Sequence, residues 1–333
     1  DIIGKKRIYN TGFIVFTIGS VFCGLAPSIY TLIASRVIQG MGAAMLMALG
    51  MAIITEAFPA SERGRALGLN GAIVSVGIVI GPTLGGLILQ HLSWRWIFFV
   101  NLPVGLIGTL TAWRFIPSLH PTGGQRFDFG GAAALFGALL ALLMSLSIGQ
   151  RVGFMEPIAV ILLSGFFVLL GIFIIIELHH PQPMINLGLF QNGLLSLSLG
   201  TGLISFIAIA GTLILMPFYL ENVLGYQTQQ VGLLLAILPI GLGLVAPLSG
   251  SLSDKFGTRP LTIAGLSILL VGYAVVATLN TNTTSVGFIL RFLPLGLGMG
   301  IFQSPNNSAI MGSAPRSHMG VISGMLAISR TLG

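Results

Sequence analysis

The chain has 333 residues, of which 54% are hydrophobic and only 7% are charged, and its mean hydropathy is +0.98. This composition cannot cover a water-soluble protein with polar groups, so it excludes that class and indicates a polytopic membrane protein. The net charge of +7 does not point to nucleic acid, because the cations are spread through short loops and form no basic patch.

Ten apolar segments are each long enough to cross a bilayer as a helix, and an eleventh begins at Met319. The chain starts without a methionine or a signal peptide and stops inside that last segment, so we expect a fragment that lacks both ends. In chain order, the predicted spans cover residues 8–26, 29–58, 66–92, 97–115, 129–148, 157–178, 193–220, 231–252, 261–279 and 288–310.

The positive charges of the loops give these spans an orientation. Lys5, Lys6 and Arg7 precede the first span, and most of the fifteen cations lie in loops on the same side by parity. Only Arg95 and Arg151 lie in loops on the opposite side. Lysine and arginine are enriched in cytoplasmic loops, so we predict that the Lys5 turn is cytoplasmic in a multi-pass protein of the inner or plasma membrane.

The chain also contains an internal repeat. Residues 1–7 are echoed by residues 254–259, and Arg36 with its following glycines is echoed by Arg291. Both copies of the loop motif lie on the same predicted side of the membrane, which implies two parallel six-helix repeats. The two spans between 129 and 178 have no counterpart in either repeat. We therefore expect about fourteen spans in the parent protein. The predicted domains are 1–116 for the N-terminal half, 117–192 for two inserted central helices with their linkers, and 193–333 for the C-terminal half.

Glycine is concentrated in the third span. Gly77, Gly81 and Gly85 are four residues apart, so on a helix they share one face and allow a neighbouring backbone to approach closely. Pro82 removes a backbone donor and bends the helix. The pattern predicts a tightly packed, kinked helix at an interface between elements that rock or gate.

Residues 77–86 resemble the antiporter motif of the major facilitator superfamily. Residues 1–7 resemble the family's loop motif, residues 32–44 resemble its fourth-span motif, and residues 94–105 are typical of one branch. Together they are similar to the fourteen-helix drug:proton antiporter branch. The resemblance implies an all-α polytopic membrane protein with the major facilitator fold, two six-helix repeats and two extra central helices.

The resemblance also assigns roles by position. The loop motif would act as a conformational latch, the fourth-span motif would take part in proton coupling, and the antiporter motif would mark an exporter. The alternatives are a solvated loop that only sets topology, an arginine that extends to the headgroups, and glycines that only pack helices. The residues concerned are Asp1, Gly4, Lys5, Arg7, Asp254, Gly257 and Arg259 for the latch; Arg36, Gln39 and Gly40 for proton coupling; and Gly77, Gly81, Pro82, Gly85 and Gly86 for the antiporter motif.

Polar side chains interrupt the last complete span. Gln303, Asn306 and Asn307 surround Pro305, and amides at this depth usually face another helix or water. They are candidates for lining a substrate cavity, or for bonding between helices around a kink. No acidic residue of the chain is well placed within a span to carry a proton. The family's usual aspartate belongs to its first span, which is absent here, so proton coupling rests on the resemblance.

The resemblance implies a secondary active transporter that exports amphipathic or hydrophobic, often cationic, compounds in exchange for protons. The alternatives are an exporter dedicated to one metabolite, lipid or siderophore and, in another class, a membrane-embedded enzyme or sensor. We find no phosphate-binding loop, nucleophile constellation or acid pair, and His179 and His180 are too few for a metal site. We therefore predict no enzymatic activity, metal or cofactor, with the proton gradient as energy source. The expected partners are a small-molecule substrate, protons and the lipid bilayer, without nucleic acid; a periplasmic adaptor is conceivable but not indicated.

Overall fold

The computed structural model describes residues 4–117, 127–313, 315 and 318–332. Over this part of the chain the regular structure is helical, and ten helices are long and apolar enough to cross a membrane. The predicted all-α polytopic fold is therefore confirmed. In chain order the helices are α1 (Lys5–Leu25), α2 (Ile29–Ala57), α3 (Arg63–His91), α4 (Trp96–Phe115), α5 (Phe129–Val152), α6 (Pro157–His179), α7 (Gly193–Val223), α8 (Thr228–Phe256), α9 (Thr258–Val276), α10 (Ser285–Gly312) and the shorter α11 (Met319–Leu332).

The chain divides into two compact units. The larger unit contains α1–α4, here termed the N-terminal helices, and α7–α11, here termed the C-terminal helices. Within it α1 packs along α2 and α4, while α10 packs against α8 and α9. The two groups of helices meet where α3 packs on α8 and where α2 packs on α11. The smaller unit is a hairpin in which α5 packs along α6.

Local sequence explains where several of these helices begin and bend. Ser28 forms a capping box with Thr31 at the start of α2, and the side chain of Thr284 accepts a hydrogen bond from Gly287 N at the start of α10. Helix α7 ends in a π-helical turn, Tyr219–Val223, directly after Pro217 and Phe218. Proline removes a backbone donor, so a local change of helix geometry at this point follows from the sequence.

The core of the larger unit lies around α10. Phe288, Phe292 and Leu295 on α10 are fully buried against a cluster that includes Leu238 and Leu269 from α8 and α9. Many large apolar side chains elsewhere are exposed. In a membrane, exposed apolar side chains can face lipid, so the buried faces of the helices are set by packing and not by hydrophobicity alone.

The two glycine-containing turns predicted as a repeat share one backbone conformation. Gly4 directly precedes α1 with φ 95°, and Gly257 directly precedes α9 with φ 87°. Side chains with a Cβ rarely adopt such values, so glycine is required at both positions. At Gly257 the glycine lets the chain reverse between α8 and α9.

Close packing of α3 occurs at a different place from the one predicted. No atom lies within 4 Å of a Cβ built on Gly77, Gly81 or Gly85, so in the described part of the chain no backbone packs on this face. At the other end of α3, a Cβ on Gly64 would collide with the Gly250 carbonyl of α8. The expectation of a packed glycine face at 77–85 was therefore wrong. Helices α3 and α8 pack closely from Gly64 and Gly250 as far as Ser75 and Gly243, in the half nearer their predicted cytoplasmic ends, and both helices line a cavity that extends beyond this contact.

This geometry predicts unequal effects of the same small substitution along α3. Gly64→Ala should destabilise the full-length protein by about 1–3 kcal/mol, because the added methyl overlaps the α8 backbone. Gly71→Ala is the matched control, since its Cβ would lie 3.5 Å from Ala246 Cβ, an ordinary contact. Thermal unfolding in detergent measures the difference. Equal melting temperatures for the two variants would contradict the close approach at Gly64.

Candidate transport cavity and gate

A cavity of about 1190 Å³ lies between the N-terminal and the C-terminal helices. Side chains of α2, α3, α7, α8, α10 and α11 line it, and most of them are apolar. The lining extends from Gln90 and Thr228, at the predicted outer ends of α3 and α8, to Leu67 and Ala246. Beyond Leu67 and Ala246 the two helices are in contact, so the cavity ends where they converge.

The polar cluster predicted in α10 divides between two environments. Gln303 and Asn307 lie one helical turn apart and both line the cavity, together with Ser304. Asn306 is not part of the lining; its Nδ2 donates a hydrogen bond to Ser198 O of α7 at 3.0 Å. Two of the three candidate residues therefore face the cavity, and the third bonds one helix to another.

A single charged side chain lines the cavity within the described residues. The guanidinium of Arg330, on α11, lies 5.7 Å from the ring centroid of Phe206, a cation–π distance, and its Nε has no hydrogen-bond partner there. The sequence analysis missed Arg330 because it lies in the segment treated as an incomplete span. No carboxylate is among the lining residues that the structure describes, so Arg330 gives this wall of the cavity a positive charge.

Asp254 connects the two groups of helices at the closed end of the cavity. Its Oδ1 accepts a hydrogen bond from Gly64 N at 2.7 Å, and its Oδ2 accepts one from Arg65 N at 2.9 Å. These are free N–H groups in the first turn of α3, where the helix dipole favours a negative charge. Ser304 Oγ also donates to Gly64 O at 2.9 Å. The carboxylate thus caps a helix that is 190 residues away in sequence.

The first copy of the loop motif has a different set of contacts. Lys5 forms an ion pair with Glu56, which joins the start of α1 to the end of α2. Arg7 is exposed, as is Arg259 in the second copy. Asp1 lies outside the described residues.

The fourth-span motif forms a small hydrogen-bonded network. Gln39 is buried; its Nε2 donates to Ser20 Oγ at 2.7 Å, and its Oε1 accepts from Arg36 Nη1 at 2.7 Å. The guanidinium of Arg36 also lies 5.6 Å from the ring centroid of Phe98. A Cβ on Gly40 would meet no atom within 4 Å. Arg36 is thus positioned by α1 and α4 and lies outside the cavity lining.

The antiporter motif runs along the cavity. Pro82 and Gly86 line it, whereas the faces of Gly77, Gly81 and Gly85 are open. The absence of side chains at these positions widens the space beside α3. Their role in antiport stays a prediction.

The structure brings together two acids that the sequence analysis did not pair. Asp128 at the start of α5 and Glu177 near the end of α6 are both 4% exposed and lie beside Gly131. The expectation that the chain has no acid pair was therefore wrong, because residues far apart in sequence meet when a hairpin closes. Within the described residues, no group of three or more His, Cys, Asp and Glu side chains is placed to hold a metal ion.

The helical bundle and its cavity define a membrane transporter, and comparison with known proteins identifies the family. The sequence model of the Major Facilitator Superfamily matches residues 1–333, and the chain belongs to this family.

Named relatives cover the whole chain. The Escherichia coli uncharacterized transporter YebQ is 38% identical, and the chain spans 73% of its length. The Clostridioides difficile riboflavin transporter RibZ is 33% identical, with 72% of its length spanned. The Mycobacterium tuberculosis multidrug resistance protein Stp is also 33% identical, with 62% spanned.

Solved structures agree in fold. The human organic anion transporter MFSD10 superposes on the whole chain with a TM-score of 0.70 at 15% identity and is covered over 69% of its own length. The proton:xylose symporter XylE superposes on 99% of the chain with a TM-score of 0.67 at 16% identity and is covered over 71%. At such identities, the likeness is evidence for the fold alone.

The Asp254 contact predicts that its removal increases the population in which the closed end of the cavity is open. Asp254→Ala removes two hydrogen bonds to a carboxylate, each worth about 1.5–3 kcal/mol, so the population with α3 and α8 apart should rise at least about tenfold. Asp254→Asn, which keeps one acceptor oxygen, should give a smaller rise. Spin labels on the exposed residues Glu62 and Lys255 of the full-length protein, after replacement of Cys23, report the distance. An unchanged distance distribution in Asp254→Ala would show that the contact does not hold this end closed.

Proposed function

We propose that the full protein is a secondary active transporter that exports amphipathic or hydrophobic drugs or toxic compounds in exchange for protons. The observation that carries this proposal is a large, mostly apolar cavity between two groups of helices, closed at one end by the Asp254 contact with α3. A cavity closed at one end can serve alternating access when the two groups rock about it. An apolar cavity with a few amides accepts varied substrates by burial and adaptable hydrogen bonding.

The names of relatives support this proposal. Stp and the Bacillus subtilis protein MdtP, which is 28% identical, are both named for multidrug resistance or transport. The resemblance of residues 77–86 to the antiporter motif supports export and proton exchange. We further propose a fourteen-helix parent with domains at 1–116, 117–192 and 193–333, located in the cell membrane.

A second candidate function is the export of one dedicated metabolite, lipid or siderophore. RibZ, a relative of similar identity, is named for riboflavin transport. The positive Arg330 beside Phe206, together with the amides of Gln303 and Asn307, suits an aromatic substrate with carbonyl or anionic groups. An embedded enzyme or a sensor is the least supported alternative, because no observation favours it.

The accumulation of fluorescent compounds in cells that express the full-length protein tests both candidate functions. Three fluorescent compounds of similar size, one cationic, one neutral and one anionic, are compared with and without a protonophore. We expect lower accumulation of the neutral and anionic compounds than in empty-vector cells, and the difference should vanish when the proton gradient collapses. Export of a single flavin-like compound alone would favour the dedicated exporter. Accumulation equal to the vector control for every compound would contradict drug export.

The fourth-span network predicts a role for Arg36 that is separable from folding. Arg36→Ala should abolish proton-driven efflux while leaving thermal stability nearly unchanged, because the side chain is exposed and is held by one hydrogen bond to Gln39 and a cation–π contact with Phe98. Arg291→Ala is the matched control in the C-terminal helices, where the guanidinium bonds to Thr278 and Gly287 O. We expect this control to keep efflux. Normal efflux in Arg36→Ala would remove Arg36 from the mechanism.

A further inference from the structure

Two buried carboxyl groups face each other at one end of the α5–α6 hairpin. Asp128 is the N-cap of α5, and Glu177 lies in the last turn of α6; each is 4% exposed. A Cβ built on Gly131 would touch Asp128 Oδ2 and would lie 3.0 Å from Glu177 Oε1. Both oxygens therefore border the same small space, which exists because residue 131 has no side chain.

Each carboxylate has one satisfied oxygen and one free oxygen. Asp128 Oδ1 accepts a hydrogen bond from Gly131 N at 2.8 Å, and Glu177 Oε2 accepts one from Ile185 N at 3.2 Å. Asp128 Oδ2 and Glu177 Oε1 are buried without a hydrogen-bond partner in the described part of the chain. The two free oxygens are those that border Gly131. A buried polar atom without a partner is costly, so this arrangement requires an occupant.

Within residues 127–192 no lysine or arginine lies beside the pair; Arg126, two residues before Asp128, is outside the described residues. The only lysine or arginine in that range is Arg151, at the opposite end of α5. Of the two histidines at the end of α6, His180 Nδ1 lies 2.9 Å from Gln182 O and His179 Nδ1 lies 2.8 Å from Ile175 O. Two adjacent ionised carboxylates in a buried site repel each other and have lost their hydration. A single proton between them removes one charge and supplies a hydrogen bond to the other oxygen.

We propose that Asp128 and Glu177 bind one proton between them and form a buried carboxyl–carboxylate pair. The proton lies on one of the two free oxygens and is donated to the other. This site belongs to the inserted hairpin, takes only a proton as ligand, and does not depend on the proposed transport function.

The bound proton has a structural consequence for the segment that follows α6. Glu177 Oε2 holds Ile185 N, and residues 180–192 connect α6 to the first of the C-terminal helices. Loss of the proton leaves two negative charges at this point. Their repulsion weakens the hydrogen bond between Glu177 and Ile185 N.

The test compares two conservative variants of the full-length protein with a matched control. Glu177→Gln and Asp128→Asn each replace one carboxyl by an amide of the same shape, and asparagine is as good an N-cap as aspartate. In each variant the amide donates to the remaining carboxylate, so the proton is not needed. Glu156→Gln is the control, because Glu156 is an exposed acid at the other end of the same hairpin.

Infrared spectra in H₂O and D₂O at near-neutral pH detect a protonated carboxyl group by its C=O stretching band and its isotope shift. We expect this band in the wild-type protein and in Glu156→Gln and expect its loss in both Asp128→Asn and Glu177→Gln.

Two results would overturn the proposal. One is an infrared spectrum that is the same in all four proteins. The other is a rise in the melting temperature of the wild type, but not of either pair variant, on addition of Na⁺ or Ca²⁺, which would make the occupant a metal cation.

Discussion

The structure depends on the capping of α3 by a carboxylate from α8. Helix α3 begins at Arg63 without a side-chain cap of its own, since Glu62 at its N-cap position makes no such bond. The N–H groups of Gly64 and Arg65 therefore need an acceptor, and Asp254 supplies both of its oxygens. This contact is possible because Gly64 and Gly250 allow the two backbones to meet. The cavity is the space left where the same two helices diverge.

Such an interaction suits a reversible contact better than a permanent one. It combines charge-assisted hydrogen bonds with close backbone contacts at small residues, among them Gly64, Gly68 and Gly250. Its rupture exposes backbone groups that water can solvate, which offsets part of the cost of separating the ends. On the other side of the unit, the contact between α2 and α11 includes a hydrogen bond from Ala52 N to Ser323 Oγ at 3.3 Å. In both contacts, small residues and one or two hydrogen bonds join the N-terminal helices to the C-terminal helices.

The sequence determined the spans well because bilayer thickness sets their length and hydropathy marks their position. The ten predicted spans match the ten long helices, with ends that differ by a few residues. Helix rotation was harder to predict, since helices in lipid are apolar on every face. The pattern could not separate Asn307, which lines the cavity, from Asn306, which bonds to α7. Nor could it show that the glycines at 77–85 lack a packed neighbour.

Long-range polar contacts could not be predicted from the sequence for a related reason. The partners in the Asp254 contact are 190 residues apart, and no local pattern links them. Asp128 and Glu177 each look like ordinary acids at the end of a span. Their proximity follows only from the register in which α5 and α6 pack, with Gly131 beside both carboxyl groups.

The position of Arg330 has an electrical consequence. A cation fixed on the wall of a cavity that opens to one side of a membrane lies at the potential of that side. When the cavity opens to the opposite side of the membrane, the same cation is exposed to the electrical potential of that side, although it moves little itself. One charge that crosses the full field is worth about 2.3 kcal/mol per 100 mV, and a partial crossing is worth a proportionate share. In an alternating-access cycle, the membrane voltage would therefore bias the conformation of the empty transporter, even if its substrate is uncharged.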